Sequence, residues 1–109
     1  MGGRIMKVHE LKLNRGFFDD VQSGVKSFEI RKNDRDFEVD DILVLRKFSD
    51  GEYRANIDVP YIGNRNNYIM KAEEFEVPKD QADSIVARIT YITDYEQQEG
   101  YVVMGIKVI

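Results

Sequence analysis

Apolar side chains fall on every second residue in four separate stretches of this chain, and that period restricts the fold more than any other feature. Phe28 and Ile30 alternate with Ser27, Glu29 and Arg31. Tyr53, Ala55, Ile57 and Val59 form a second set, Ile85, Ala87, Ile89 and Tyr91 a third, and Val102, Met104, Ile106 and Val108 a fourth. A strand sends successive side chains to opposite faces of its sheet, so a period of two marks a strand with one buried face. Four such strands within 109 residues predict a mainly β domain.

Two further stretches join them. Residues 42–48 are almost continuously apolar, and Asp50 with Gly51 supplies the turn pair that folds them back on residues 53–59 as a hairpin. Residues 6–13 predict a first strand. There Met6 and Val8 have one parity and Leu11 and Leu13 the other, which implies a twist or bulge near His9 and Glu10. Asn14 is then placed to cap a short helix with Phe17, Phe18 and Val21 on one face, and Gly24 to end it in the left-handed conformation. Residues 61–83 show no clear period and are rich in Asn, Glu and Lys, so they predict either a short helix near residues 71–75 or a functional flap. Five or six strands, one early helix and no strand-helix-strand repeat predict a small barrel. Residues 1–5 read as a loose leader, and 6–109 as a single domain with an irregular insertion at 61–83.

The chain has no cysteine and one histidine, His9. This excludes a disulfide framework and thiolate chemistry, and the expectation is no metal and no cofactor. No apolar run approaches the roughly 20 residues of a membrane-spanning helix, and no signal-peptide pattern is present. The reading is therefore a cytoplasmic protein without a membrane partner; the sequence leaves the oligomeric state open, with a monomer favoured. A net charge of −4 argues against indiscriminate polyanion binding. The charge is unevenly spread: residues 1–35 carry eight basic side chains against five acidic, and residues 36–109 eight against fifteen. A locally basic end on an acidic body suits an anionic ligand.

Gly24, Lys26, Glu29 and Arg31, in the run GVKSFEIR, resemble the signature of the ASCH family, where these residue types recur at this spacing after the first helix. Residues 9–12 (HELK), the pair Phe17 and Phe18, residues 29–37 (EIRKNDRDF) and residues 100–106 (GYVVMGI) are similar to a branch of ASCH-like proteins known only as a domain of unknown function. The matches cover about residues 6–48 and 85–107. The resemblance implies a PUA-like pseudobarrel of five to six strands, with the signature residues lining a cleft between helix and sheet, and a ligand class of RNA or modified nucleotides. Some bacterial ASCH proteins are amidohydrolases that cleave acetylcytidine with a Lys, a Thr and a downstream acid. Lys26 matches that Lys, but the Thr position is Glu29, and Ser27 has the wrong parity to replace it. The resemblance thus leans away from an enzyme.

Read for their own chemistry, the same residues stand out. Lys26, at a helix-to-strand junction, presents an ammonium to a phosphate or, if desolvated, serves as a base. Glu29 and Arg31 lie two apart on one strand face, within reach of a pair that orients Arg31. Left exposed, such a pair contributes only about 0–1 kcal/mol. Arg31, Lys32 and Arg35 cluster beside a turn as candidates for phosphate contacts, and His9 and Lys12 approach them if the first strand runs beside the second. Phe17, Phe18, Phe28 and Phe37 are assigned to the core, and Tyr61 and Tyr68 to base stacking. The expectation is an RNA- or nucleotide-binding module acting through Lys26, Glu29, Arg31, Lys32, Arg35, His9 and Lys12. The alternative is an amidohydrolase acting on an acylated, acetylcytidine-like nucleoside, with Lys26 and Glu29 as its catalytic groups.

Overall fold

Seven strands and one α-helix succeed one another in the computed structural model, which describes residues 5–63 and 67–109. Residues 1–4 of the expected leader and 64–66 of the expected insertion lie outside the described residues. The elements are β1 (Val8–Asn14), α1 (Arg15–Ser23), β2 (Phe28–Lys32), β3 (Ile42–Ser49), β4 (Glu52–Ile62), β5 (Tyr68–Glu76), β6 (Ser84–Thr93) and β7 (Tyr101–Val108). A 3-10 turn occupies Lys79–Gln81. The mainly β class is as the alternation predicted, but the described residues hold seven strands rather than five or six. The additional strand is β5, where a helix or flap was expected. Lys71 and Glu73 interrupt its apolar parity between Ile69 and Phe75, so its period of two is hidden in the sequence.

The pairing order is β2-β7-β6-β3-β4-β5, and β1 pairs with β3 as well. Only the β1–β3 pairing is parallel; the other five are antiparallel. Phe48 pairs with Asn14 and also with Tyr53. One edge of β3 therefore holds β1, and the other holds β6 and then β4. Asp50 and Gly51 both have positive φ (54° and 80°), as the two-residue turn between β3 and β4 requires.

In the run β1-β3-β6-β7-β2 the two outer strands do not pair with each other, yet side chains bridge them. Arg31 Nη2 donates to the Lys12 carbonyl at 2.8 Å and Arg35 Nη1 to the Glu10 carbonyl at 2.9 Å. The sheet thus curls until β2 faces the free edge of β1, and two guanidinium groups stand where a backbone ladder would close the ring. The barrel stays open along this seam.

Inside the curl lie Leu11, Leu13, Leu43, Leu45, Ile85, Ala87, Ile89, Val102, Met104 and Ile106, covered by Phe18, Val21 and Phe37. Helix α1 caps one side as expected. Asn14 Oδ1 accepts from the Gly16 N–H at 2.7 Å, and Gly24, at φ 84°, donates back to the Val21 carbonyl.

Three expectations about facing need correction. The first strand has no bulge near His9: β1 runs regularly with His9, Leu11 and Leu13 inward, and Val8 is left 63% exposed. A hydrogen bond to Asp41 makes the buried imidazole tolerable there. The β6 bulge lies between Ile89 and Tyr91, and so turns Tyr91 out to solvent and brings Ile92 against the core. In β2 the parity is the reverse of the simple hydrophobic reading. Glu29 is the buried residue beside Ile30, and Phe28 and Ile30 are 41% and 52% exposed.

Candidate functional site

That reversal of β2 makes the site. Glu29 points into the seam with only 3% of its surface exposed and is held from both sides. Lys26 Nζ donates to Oε1 at 3.1 Å, and Arg31 Nε donates to Oε2 at 2.9 Å. The Glu29–Arg31 pair is therefore part of a largely buried triad of two cations and one carboxylate. A carboxylate so enclosed requires these donors, and it fixes both cations in turn.

Lys26 also donates to the Phe28 carbonyl at 2.8 Å, so two of its three N–H groups are engaged. Its ammonium lies 4.6 Å from the Phe28 ring centre and 5.1 Å from that of Phe17, inside the range of cation–π attraction. Phe17, at the exposed face of α1, and Phe28 are thus not core residues as expected; Phe18 and Phe37 are. The two exposed rings flank a hollow of about 330 Å³ whose wall also holds Lys12, Leu13, Asn14, Glu29, Ile30 and Arg31.

Two further hollows continue along the seam, and Arg31 borders all three. One, of about 280 Å³, is edged by Lys32, Asp34, Arg35 and Tyr101. The other, of about 390 Å³, is edged by Glu10, Lys12, Arg35, Tyr53 and Lys79. Glu10 is the carboxylate in the latter. Its pKa is held below the ordinary glutamate value, first by the hydrogen bond from Arg46 Nη2 at 2.6 Å and then by Lys79. The seam consequently presents a line of cations whose nearest carboxylates are already engaged.

Of the residues singled out from the sequence, the fold brings Lys12, Lys26, Glu29, Arg31, Lys32 and Arg35 to this seam. His9 is not among them. It points to the opposite side of β1, where Nε2 lies 2.9 Å from Asp41 Oδ2 and its ring meets Phe37 edge-on at 4.8 Å. Tyr61 and Tyr68 stand on β4 and β5, away from the seam's lining. Sequence reasoning missed Asn14, Tyr53 and Lys79 as lining residues. Asn14 was legible as a cap at the end of β1, whereas Lys79 reaches the seam only through the return from β5 to β6, which no local spacing signals. Among the described residues no group of three or more His, Cys, Asp or Glu side chains is arranged to hold a metal, and no helix is long and apolar enough to cross a membrane.

A family model described as a domain of unknown function (DUF3850) matches residues 8–106. The chain belongs to this family. The matched span runs across residues 61–83. The chain is also similar to an uncharacterized 12.9 kDa protein in the GpA 3' region of Escherichia phage P2, at 43% identity over 47 residues. That similarity covers 43% of each of the two chains.

Proposed function

We propose that this DUF3850 protein binds RNA or a nucleotide along the seam between β1 and β2, in the manner implied by its resemblance to the ASCH branch of PUA-like domains. The observation that carries the reading is the convergence of Lys12, Lys26, Arg31 and Arg35 on an unpaired strand edge flanked by two exposed phenylalanine rings. A nucleotide offers the two complementary groups, a phosphate for the cations and a planar base for a ring. Arg31 spends Nε and Nη2 on the protein, leaving Nη1 for a phosphate oxygen. Glu29 orients the cations and does not compete for the ligand, since both its oxygens are already engaged. A cytoplasmic setting, where RNA and nucleotides abound, accords with this reading.

The test is anisotropy with a labelled single-stranded RNA at increasing salt. Three phosphate contacts, from Lys12, Arg31 and Arg35, give a log–log slope of about −2. Phe28→Ala removes a stacking surface worth about 1–3 kcal/mol, so affinity falls roughly 5- to 150-fold while the fold persists. Binding that ignores both salt and Phe28→Ala overturns the proposal. Release of acetate from acetylated cytidine would instead move the assignment to the amidohydrolase alternative.

A further inference from the structure

The β4–β5 ribbon has two strand edges, and they are not equivalent. Gly63 N–H bonds to the Asn67 carbonyl, and Val77 N–H to the Tyr53 carbonyl. In the register Val59↔Lys71, odd-numbered residues of both strands therefore turn their backbone groups toward each other. Even-numbered residues turn theirs outward. On β4 that outward edge is used or blocked. Asn56 N–H donates to Asp83 Oδ2, the Arg54 carbonyl accepts from Asp83 N–H, and Pro60 has no N–H to offer. On β5 the outward groups belong to Tyr68, Met70, Ala72, Glu74 and Glu76, and this strand ends the pairing order, with β4 its only strand partner among the described residues. An edge of this length without a proline is a template for another strand.

The side chains of β5 indicate which strand fits. Ile69, Lys71, Glu73 and Phe75 share one face. Read in the opposite direction the same row is Phe, Glu, Lys, Ile, so the row is complementary to itself when run antiparallel. With Ala72 on a twofold axis, Lys71 of one copy faces Glu73 of the other, twice, and Ile69 faces Phe75, twice. Even-numbered residues then form the hydrogen-bonded pairs, as their outward backbone groups require, and the Lys–Glu pairs occupy the non-hydrogen-bonded sites where side chains approach most closely. Ile69 and Phe75 are 53% and 38% exposed in the single chain, and a two-stranded ribbon is marginal in water without a further strand.

We propose that β5 pairs with β5 of a second copy about a twofold axis at Ala72, giving a four-stranded β4-β5-β5-β4 sheet across a homodimer. This departs from the monomer favoured on the sequence, and it is independent of the seam, which lies on β1 and β2. The partner is a second copy because the charge pattern is satisfied by itself.

Sedimentation of the full chain across a concentration series tests this. The expected mass rises from 12.7 kDa toward twice that value. Lys71→Glu alone and Glu73→Lys alone, each folded by circular dichroism, stay monomeric through like-charge opposition. An equimolar mixture of the two recovers the dimer, because every 71–73 contact is then of opposite sign. Should a charge variant fail to fold, Ala72→Pro gives the same readout, since it removes an outward N–H and leaves the β4 ladder whole. A wild-type chain monomeric at every concentration, or a dimer indifferent to these substitutions, overturns the proposal.

Discussion

Replacing Glu29 with Gln keeps the shape of the side chain and removes its charge, and it tests whether the seam is organised by that carboxylate. A fully enclosed ion pair that loses one partner costs about 3–5 kcal/mol. Lys26 and Arg31 retain 20% and 24% of their side-chain surface, so water screens part of the loss. The expected cost is nearer that of a hydrogen bond to a charged group, about 1.5–3 kcal/mol. In a domain of this size about 1 kcal/mol moves Tm by about 4–8 °C, which places the expected fall at about 6–24 °C. Arg31→Ala in the wild-type and Glu29→Gln backgrounds completes a double-mutant cycle, read by urea unfolding. Groups in direct contact couple by about 0.5–3 kcal/mol, and the 2.9 Å bond between Arg31 Nε and Glu29 Oε2 places this pair in the upper half of that range. A coupling within error of zero, together with an unchanged Tm for Glu29→Gln, would refute the idea that Glu29 fixes the cations.

Lys47 is the buried cation that joins β3 to the ribbon and the helix. It lies 3.4 Å from Asp83, 3.8 Å from Glu74 and 4.8 Å from the Phe18 ring centre. Lys47→Ala is expected to cost more than about 2 kcal/mol in denaturant unfolding, approaching the cost of a broken buried pair. Lys47→Met should recover much of it, because the stem still packs on Phe18 and Glu74 keeps Arg15 and Arg54. Glu10 supplies a pH test. Its folded-state pKa is depressed, so its contribution is present at neutral pH and is lost as the pH falls through the folded value. The Tm difference between the wild type and Glu10→Gln should therefore narrow as the pH drops below about 4.3, the free glutamate value. A constant difference down to pH 3 would contradict this.

The sequence carried the β class, the helix with both its caps, and the β3–β4 hairpin, because each is written in local signals: a period of two, an Asn before a helix, a Gly after it, an Asp-Gly turn. It also carried the neighbourhood of Lys26, Glu29 and Arg31, since residues on so short a stretch cannot be far apart. The direction of β2 was not legible. Phe28 and Ile30 look like a buried face until the seam is known to offer Glu29 two cationic partners, Lys26 beside it and Arg31 two residues on, whose bond to the Lys12 carbonyl reaches across to β1. The same limit hid the parity of His9, whose partner Asp41 is 32 residues away, and the arrival of Lys79 beside Glu10. β5 escaped because its charges at Lys71 and Glu73 fall where a core-facing strand would be apolar, which is what a strand projecting from the barrel permits.

The claim on which the account rests is that the open side of the barrel, between β1 and β2, is where a nucleic-acid ligand sits. Chemical-shift mapping on isotope-labelled protein, titrated with a short single-stranded RNA and with mononucleotides, addresses this directly. The expected map centres on the amides of residues 12–17 and 26–31, with the Arg31 side-chain Nε–H among the affected signals. Shifts confined to β4 and β5, or no shifts with any of these ligands, would contradict it.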